Sequence, residues 1–236
     1  MTEPDDDGRA AIRQAVSVSL ATGLYGVSFG ALAVAAGLSL PQAMALSLLM
    51  FSGGSQFAFI GVVGAGGAAG AAIATAGLLG VRNGLYGPQV APLLGVHGWR
   101  RLAAAQVTID ESTAVATAHT GRRASRLGFW WTGIGVFALW NTFTLLGALL
   151  GDALGDPRRY GLDAAAAAAF LALVWPRVTG KNARRAQLVA AGAVAVALLT
   201  TPFVPAGIPV LLAAIVAILA GMLTPAPPTR AEAAAA

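Results

Sequence analysis

The chain has 236 residues, of which 57% are hydrophobic and 11% charged, with a formal net charge of +5. A mean hydropathy of +0.72 excludes a soluble globule of this size, which could not hide so much apolar surface. The lack of cysteine excludes disulfides, thiolate metal sites and thiol catalysis, and His97 and His119 lie in short polar loops without metal-ligand spacing.

The positive charge is not a nucleic-acid signature. Its arginines lie in short clusters between apolar runs, the pattern by which membrane proteins orient their cytoplasmic loops. The composition predicts an all-α, polytopic transmembrane helix bundle in a lipid bilayer, with no cofactor and no nucleic-acid partner.

Residues 1–14 read as an acidic cytoplasmic tail, residues 15–223 as the membrane domain, and residues 224–236, rich in Pro and Ala, as a disordered tail. The first span covers Ala15 to Gly37 and holds Gly26-Val27-Ser28-Phe29-Gly30, a spacing that lets another helix approach closely. A second span, Pro41 to Val63, contains Phe51-Ser52-Gly53-Gly54-Ser55-Gln56-Phe57. Ser55 and Gln56 beside a Gly-Gly pair either bind helix to helix or face a cavity, and Phe51, Phe57 and Phe59 either line an aliphatic pocket or pack in the core.

The third segment, Gly67 to Leu94, carries the one charge between Gln14 and Val96: Arg82, followed by Asn83. A guanidinium at membrane depth costs at least about 2.5 kcal/mol on insertion scales, so it needs a partner or a wet cavity. Gly80, Gly84, Gly87 and Pro88 bracket it, which predicts a broken helix exposing backbone to a substrate, or else a loop at an interface.

After the basic loop His97 to Arg101, the stretch Leu102 to Ala118 holds Gln106, Thr108, Asp110, Glu111, Ser112 and Thr113. It either spans with these residues turned inward, lies at the interface, or re-enters. A fifth run, Leu127 to Leu150, has Asn141 at mid-span, and its connection, Gly151 to Asp163, reads as external. Shorter runs follow at Ala164 to Val174, Ala186 to Thr201 and Ile208 to Leu223. With the loops bearing Arg122, Arg123, Arg126, Lys181 and Arg184 inside, both termini are cytoplasmic and the membrane segments number seven or eight.

Leu146-Gly147-Ala148-Leu149 echoes Phe29-Gly30-Ala31-Leu32. The echo suggests a two-half internal repeat, in which the broken third segment corresponds to the Pro- and Gly-interrupted seventh and eighth.

Arg82, Asp110 and Glu111 are the ionisable residues expected at membrane depth. Adjacent carboxylates on a helix diverge by about 100°, so one faces Arg82 and the other is free to exchange a proton. A structural salt bridge is the plainer reading, and both roles are compatible. No nucleophile with a base nearby points to an enzyme, and no charged ring points to a channel.

Tyr25-Gly26-Val27-Ser28-Phe29-Gly30, Phe51-Ser52-Gly53-Gly54-Ser55-Gln56-Phe57, Val81-Arg82-Asn83-Gly84-Leu85-Tyr86-Gly87 and Ile109-Asp110-Glu111-Ser112 together resemble the AzlC-like proteins, the large subunits of branched-chain amino-acid exporters of the LIV-E family. The family's usual third motif reads asparagine-leucine-arginine-histidine; Gly80-Val81-Arg82-Asn83 keeps the arginine and departs around it. The resemblance implies a permease of the bacterial plasma membrane that works with a small AzlD-like membrane subunit and moves valine, leucine, isoleucine or methionine outward. Such a substrate suits Arg82 and Asn83 at its carboxylate, Asp110 or Glu111 with Gln56 at its ammonium, and Ser55 and Asn141 nearby. Asp110 or Glu111 would also carry a coupling proton.

Overall fold

The computed structural model describes residues 4–154, 159, 161–180 and 183–223. All their regular structure is helical: α1 (Pro4–Leu24), α2 (Gly26–Ala35), α3 (Leu40–Leu49), α4 (Gly53–Gly64), α5 (Ala69–Leu94), α6 (Arg100–Gln106), α7 (Asp110–Ala118), α8 (Arg122–Leu154), α9 (Leu162–Thr179), α10 (Arg184–Thr200) and α11 (Ile208–Met222). Two stretches, Asp6–Ala35 and Arg122–Gly151, are helices long and apolar enough to cross a membrane, with shorter apolar helices at Leu40–Leu49, Gly53–Gly64 and Ile208–Met222. The expected C-terminal tail, Lys181 and residues 155–158 and 160 of the external connection lie outside the described residues. Helix α1 starts at Pro4, so it extends through the segment expected as a tail, with Asp6 and Asp7 near its favourable N-terminal end.

The chain divides into two compact units, Met1–Phe170 and Leu171–Ala236, with the division inside α9. In the second unit α10 packs on α11. Gly192 admits Val216 closely, and the Arg185 guanidinium donates to the carbonyl of Ala220 at 2.6 Å, satisfying a C-terminal carbonyl of α11.

The first unit is built on α2 crossing α8. A Cβ on Gly30 would collide with the backbone carbonyl of Thr144, one on Gly147 with that of Val27, and one on Gly151 would meet Ala31 Cα at 2.9 Å. The two echoing sequences are therefore opposite faces of one glycine-lined contact, where main chains approach without side chains between them. Beside it Phe29, Phe57 and Trp140 pack in a buried aromatic core with Tyr25 at its edge.

Helices α3 and α4 form a hairpin and do not cross the bundle, contrary to the expectation of a span from Pro41 to Val63. Residues 36–39 link the end of α2 to Leu40, and Gly64 returns to that same end, where a Cβ would lie 3.1 Å from the Ala36 side chain. Helices α6 and α7 form a second hairpin from the opposite end. It leaves the end of α5 and returns to His119, whose Nδ1 lies 2.8 Å from Asp7 of α1. The same end gathers the start of α8, where Arg126 Nε donates to Leu93 O at 3.2 Å and caps α5. The hairpin tips meet: Gln106 Nε2 donates to Leu48 O at 2.9 Å.

The expected broken third helix is not there. Helix α5 runs unbroken for 26 residues through Arg82, with Pro88 and Pro92 inside it, and neither Gly80, Gly84 nor Gly87 has positive φ. In apolar surroundings an unwound backbone leaves groups unsatisfied at several kcal/mol each, so glycine alone does not break a helix there. The chain is interrupted instead at Met50–Ser52 and Val107–Ile109. Among the described residues of this unit, the paired interrupted segments are thus α3–α4 and α6–α7, rather than the third against the seventh and eighth.

Candidate functional site

Each interruption is held by the polar side chains beside it. Gln56 is fully buried; its Nε2 donates to Met50 O at 2.8 Å and Leu46 O at 3.3 Å, and its Oε1 accepts from Trp140 Nε1 at 2.9 Å. At the other tip Ser112 Oγ donates to Val107 O at 2.7 Å and accepts the Ile109 amide at 3.1 Å, while Thr108 Oγ1 donates to Ala104 O at 2.7 Å. These groups replace hydrogen bonds that the helix breaks remove, which is why the chain can unwind here. Gln56, expected at a substrate ammonium, is committed to the fold by its three bonds.

The breaks leave the N-termini of α4 and α7 at the middle of the bundle. A helix N-terminus presents unpaired amides and a positive dipole end, so both favour negative charge. Asp110 and Glu111 occupy the first turn of α7 accordingly.

Arg82 lies between the two N-termini. It stands 12 residues before the end of α5, about 18 Å at 1.5 Å per residue, near the middle of this 26-residue helix. Its Nη2 is 2.8 Å from Asp110 Oδ2, and the pair is part-exposed, at 28% and 19%. The guanidinium also covers Gly54 in the first turn of α4, where a Cβ would sit 2.7 Å from Nη2. A larger residue there would push the guanidinium aside. Tyr86, one turn along α5, donates its hydroxyl to Asp110 Oδ1. Sequence reasoning missed Tyr86, although its i+4 spacing from Arg82 places both on one face.

Polar atoms gather around this pair with capacity unused inside the protein. Arg82 Nε, Asn83 Oδ1, Ser52 Oγ and Ser55 Oγ are buried without a hydrogen-bond partner, and Ser55 Oγ faces α5 at Gly80. Asn141 donates to Phe137 O at 2.7 Å within α8, and its buried Oδ1 has no partner. No hydrogen bond joins Asn141 to Arg82 or Asp110. Glu111 makes no ion pair among the described residues. Phe51 and Phe57 are buried in the aromatic core, whereas Phe59 is partly exposed.

The structure thus brings Arg82, Asp110 and Ser55 to one junction, adds Tyr86 and Gly54, and places Gln56 in the scaffold. The model of the family described as AzlC protein matches residues 17–154, which include both hairpins and the junction. The chain belongs to the AzlC family. It is also 33% identical over 172 residues, covering 72% of this chain and 74% of the relative, to a protein of Archaeoglobus fulgidus described as an uncharacterized membrane protein. No solved structure matches the chain. AzlC membership and the membrane relative make this a membrane protein related to transport.

Proposed function

We propose that this AzlC protein is a multi-pass permease subunit of the bacterial plasma membrane, exporting branched-chain or related hydrophobic amino acids by secondary, proton-coupled transport. The observation that carries this reading is Arg82 held between the N-terminus of α4 and Asp110 at the N-terminus of α7. A zwitterion needs a cation and free amides for its carboxylate and an anion for its ammonium, and this junction supplies both within one contact distance.

In this mechanism the substrate carboxylate takes over the Arg82 guanidinium and the first amides of α4, displacing Asp110. Asp110, released from Arg82, then faces the substrate ammonium. Ser55, Asn83 and Asn141 supply further polar atoms, and Glu111 is the preferred proton carrier because it makes no ion pair among the described residues. The two hairpins enter from opposite faces and reach only mid-depth, so sliding of either tip would open the junction to one side. A small AzlD-like subunit completes the transporter, and the basic end carrying Arg122, Arg123 and Arg126 faces the cytoplasm.

The test is flux of labelled leucine, valine, isoleucine and methionine in proteoliposomes holding the chain with its small partner under an imposed pH gradient. Movement of these amino acids, slowed when the gradient is collapsed, supports the reading. Absence of movement for all four contradicts it.

A further inference from the structure

We infer that the cavity between the C-terminal half of α5 and helix α6 is the vestibule through which substrate reaches Arg82 from the basic end, and that Tyr86 is its gate. This rests on the transport reading above. The cavity has a volume of about 460 Å³ and is lined by Gly87, Val90, Leu94, His97, Arg101 and Thr108, among others. That volume falls in the usual range for small-molecule sites, roughly 300–1,000 Å³.

Three features assign it to the pathway. Its outer rim carries His97 and Arg101, and Arg101 is fixed by donating from Nε to Val96 O at 3.1 Å, so a cationic group stands where a carboxylate would enter. Its walls are the small and aliphatic faces Gly87, Val90, Ala104 and Ala105, suited to a hydrophobic side chain. Its inner end is Gly87 on α5 and Thr108 at the tip of the α6–α7 hairpin. Gly87 is five residues, about 8 Å of helix rise, from Arg82, and Thr108 is two residues from Asp110.

Between that inner end and Arg82 lies Tyr86, whose hydroxyl donates to Asp110. Arg82, Tyr86, Val90 and Leu94 follow one another at four-residue spacing on α5, so the cavity continues along the helix face that bears the site. Breaking the Tyr86–Asp110 bond joins the vestibule to the junction. The same step frees Asp110 for the substrate ammonium, which couples opening to binding.

The experiment uses the native absence of cysteine. Full-length Ala105→Cys is placed in everted membrane vesicles with the small partner, and a bulky membrane-impermeant thiol reagent is added to the outward-turned basic face. Labelled leucine uptake should fall at least tenfold relative to the same untreated variant. Thr120→Cys, exposed on the same face outside the cavity, should react without loss of uptake. A second variant tests the gate: Ser55→Cys should react at least tenfold faster from the basic face in a Tyr86→Phe background than with Tyr86 intact. Uptake unaffected by full modification of Ala105→Cys, or equal Ser55→Cys rates in both backgrounds, overturns the vestibule and its gate while the transport reading stands. Failure of the untreated, unsubstituted chain to move leucine, valine, isoleucine or methionine overturns the transport reading, and the vestibule falls with it.

Discussion

Trp140 and Gln56 are joined by a buried hydrogen bond of 2.9 Å between the indole Nε1 and the amide Oε1. It ties mid-α8 to the interruption between α3 and α4, and the Gln56 amide completes the tie through Met50 O and Leu46 O. Replacing Gln56 by Leu keeps the volume and leaves the Trp140 indole donor without its partner, at about 1–3 kcal/mol, while the carbonyls of Met50 and Leu46 lose their second bond and keep the amides of Ser52 and Met50. The expected outcome is a clear drop in the melting temperature of detergent-solubilised protein, with Trp140→Phe showing a smaller drop. An unchanged melting temperature for Gln56→Leu would mean the break does not depend on this amide.

Glycines in this chain divide by what a Cβ would meet. Gly30→Val should force α2 from α8 and sharply lower the yield of monodisperse protein, because the collision is with backbone. Gly84→Ala meets open space inside a regular helix and should be neutral, or stabilising by up to about 1 kcal/mol. Size-exclusion profiles of the two variants decide the matter. Equal profiles would contradict the packing.

The two hairpins make a topological prediction that separates them from spans. Ser39 and Ala65 flank α3–α4, and the structure sets them at the same end of the bundle, opposite Thr120. Thiols introduced at Ser39 and Ala65 should react from one side of the membrane and a thiol at Thr120 from the other. Reaction of the Ser39 and Ala65 positions from opposite sides would make this segment a crossing.

Helical class, the Arg82 and Asp110 signals and the glycine contact were legible because each rests on a local rule: apolar run length, the cost of a buried charge, or the spacing of Gly26 and Gly30. Where helices break was not legible. Gly80, Gly84 and Gly87 look like breakers, yet in an apolar setting the helix holds, while α3–α4 and α6–α7 part where Gln56 and Ser112 can bond the freed backbone. Polar residues read as substrate-facing thus served two ends, and the sequence does not distinguish a side chain that satisfies its own backbone from one that awaits a ligand. Pairing of Tyr86 with Asp110 depends on a hairpin returning to mid-depth, a tertiary fact beyond any window of sequence.

Coupling should separate the two carboxylates of α7. Glu111→Gln should keep exchange of labelled leucine across the membrane and lose accumulation driven by a pH gradient, as expected of the proposed proton carrier, which makes no ion pair among the described residues. Asp110→Asn removes the partner of Arg82 and should impair exchange itself, by tenfold or more. Gradient-driven accumulation in both variants would exclude each as the carrier and point to another coupling ion.

The central claim is that Arg82, between the N-termini of α4 and α7, binds the substrate carboxylate. The most direct measurement is labelled leucine exchange in proteoliposomes containing equal amounts of native chain or Arg82→Ala, each with the small partner. Exchange should fall to background in Arg82→Ala although the variant inserts and purifies as well as the native chain, because removing a guanidinium from mid-depth does not hinder insertion. Native-rate exchange by Arg82→Ala would show that the Arg82–Asp110 pair only holds helices together, and that the transported molecule binds elsewhere.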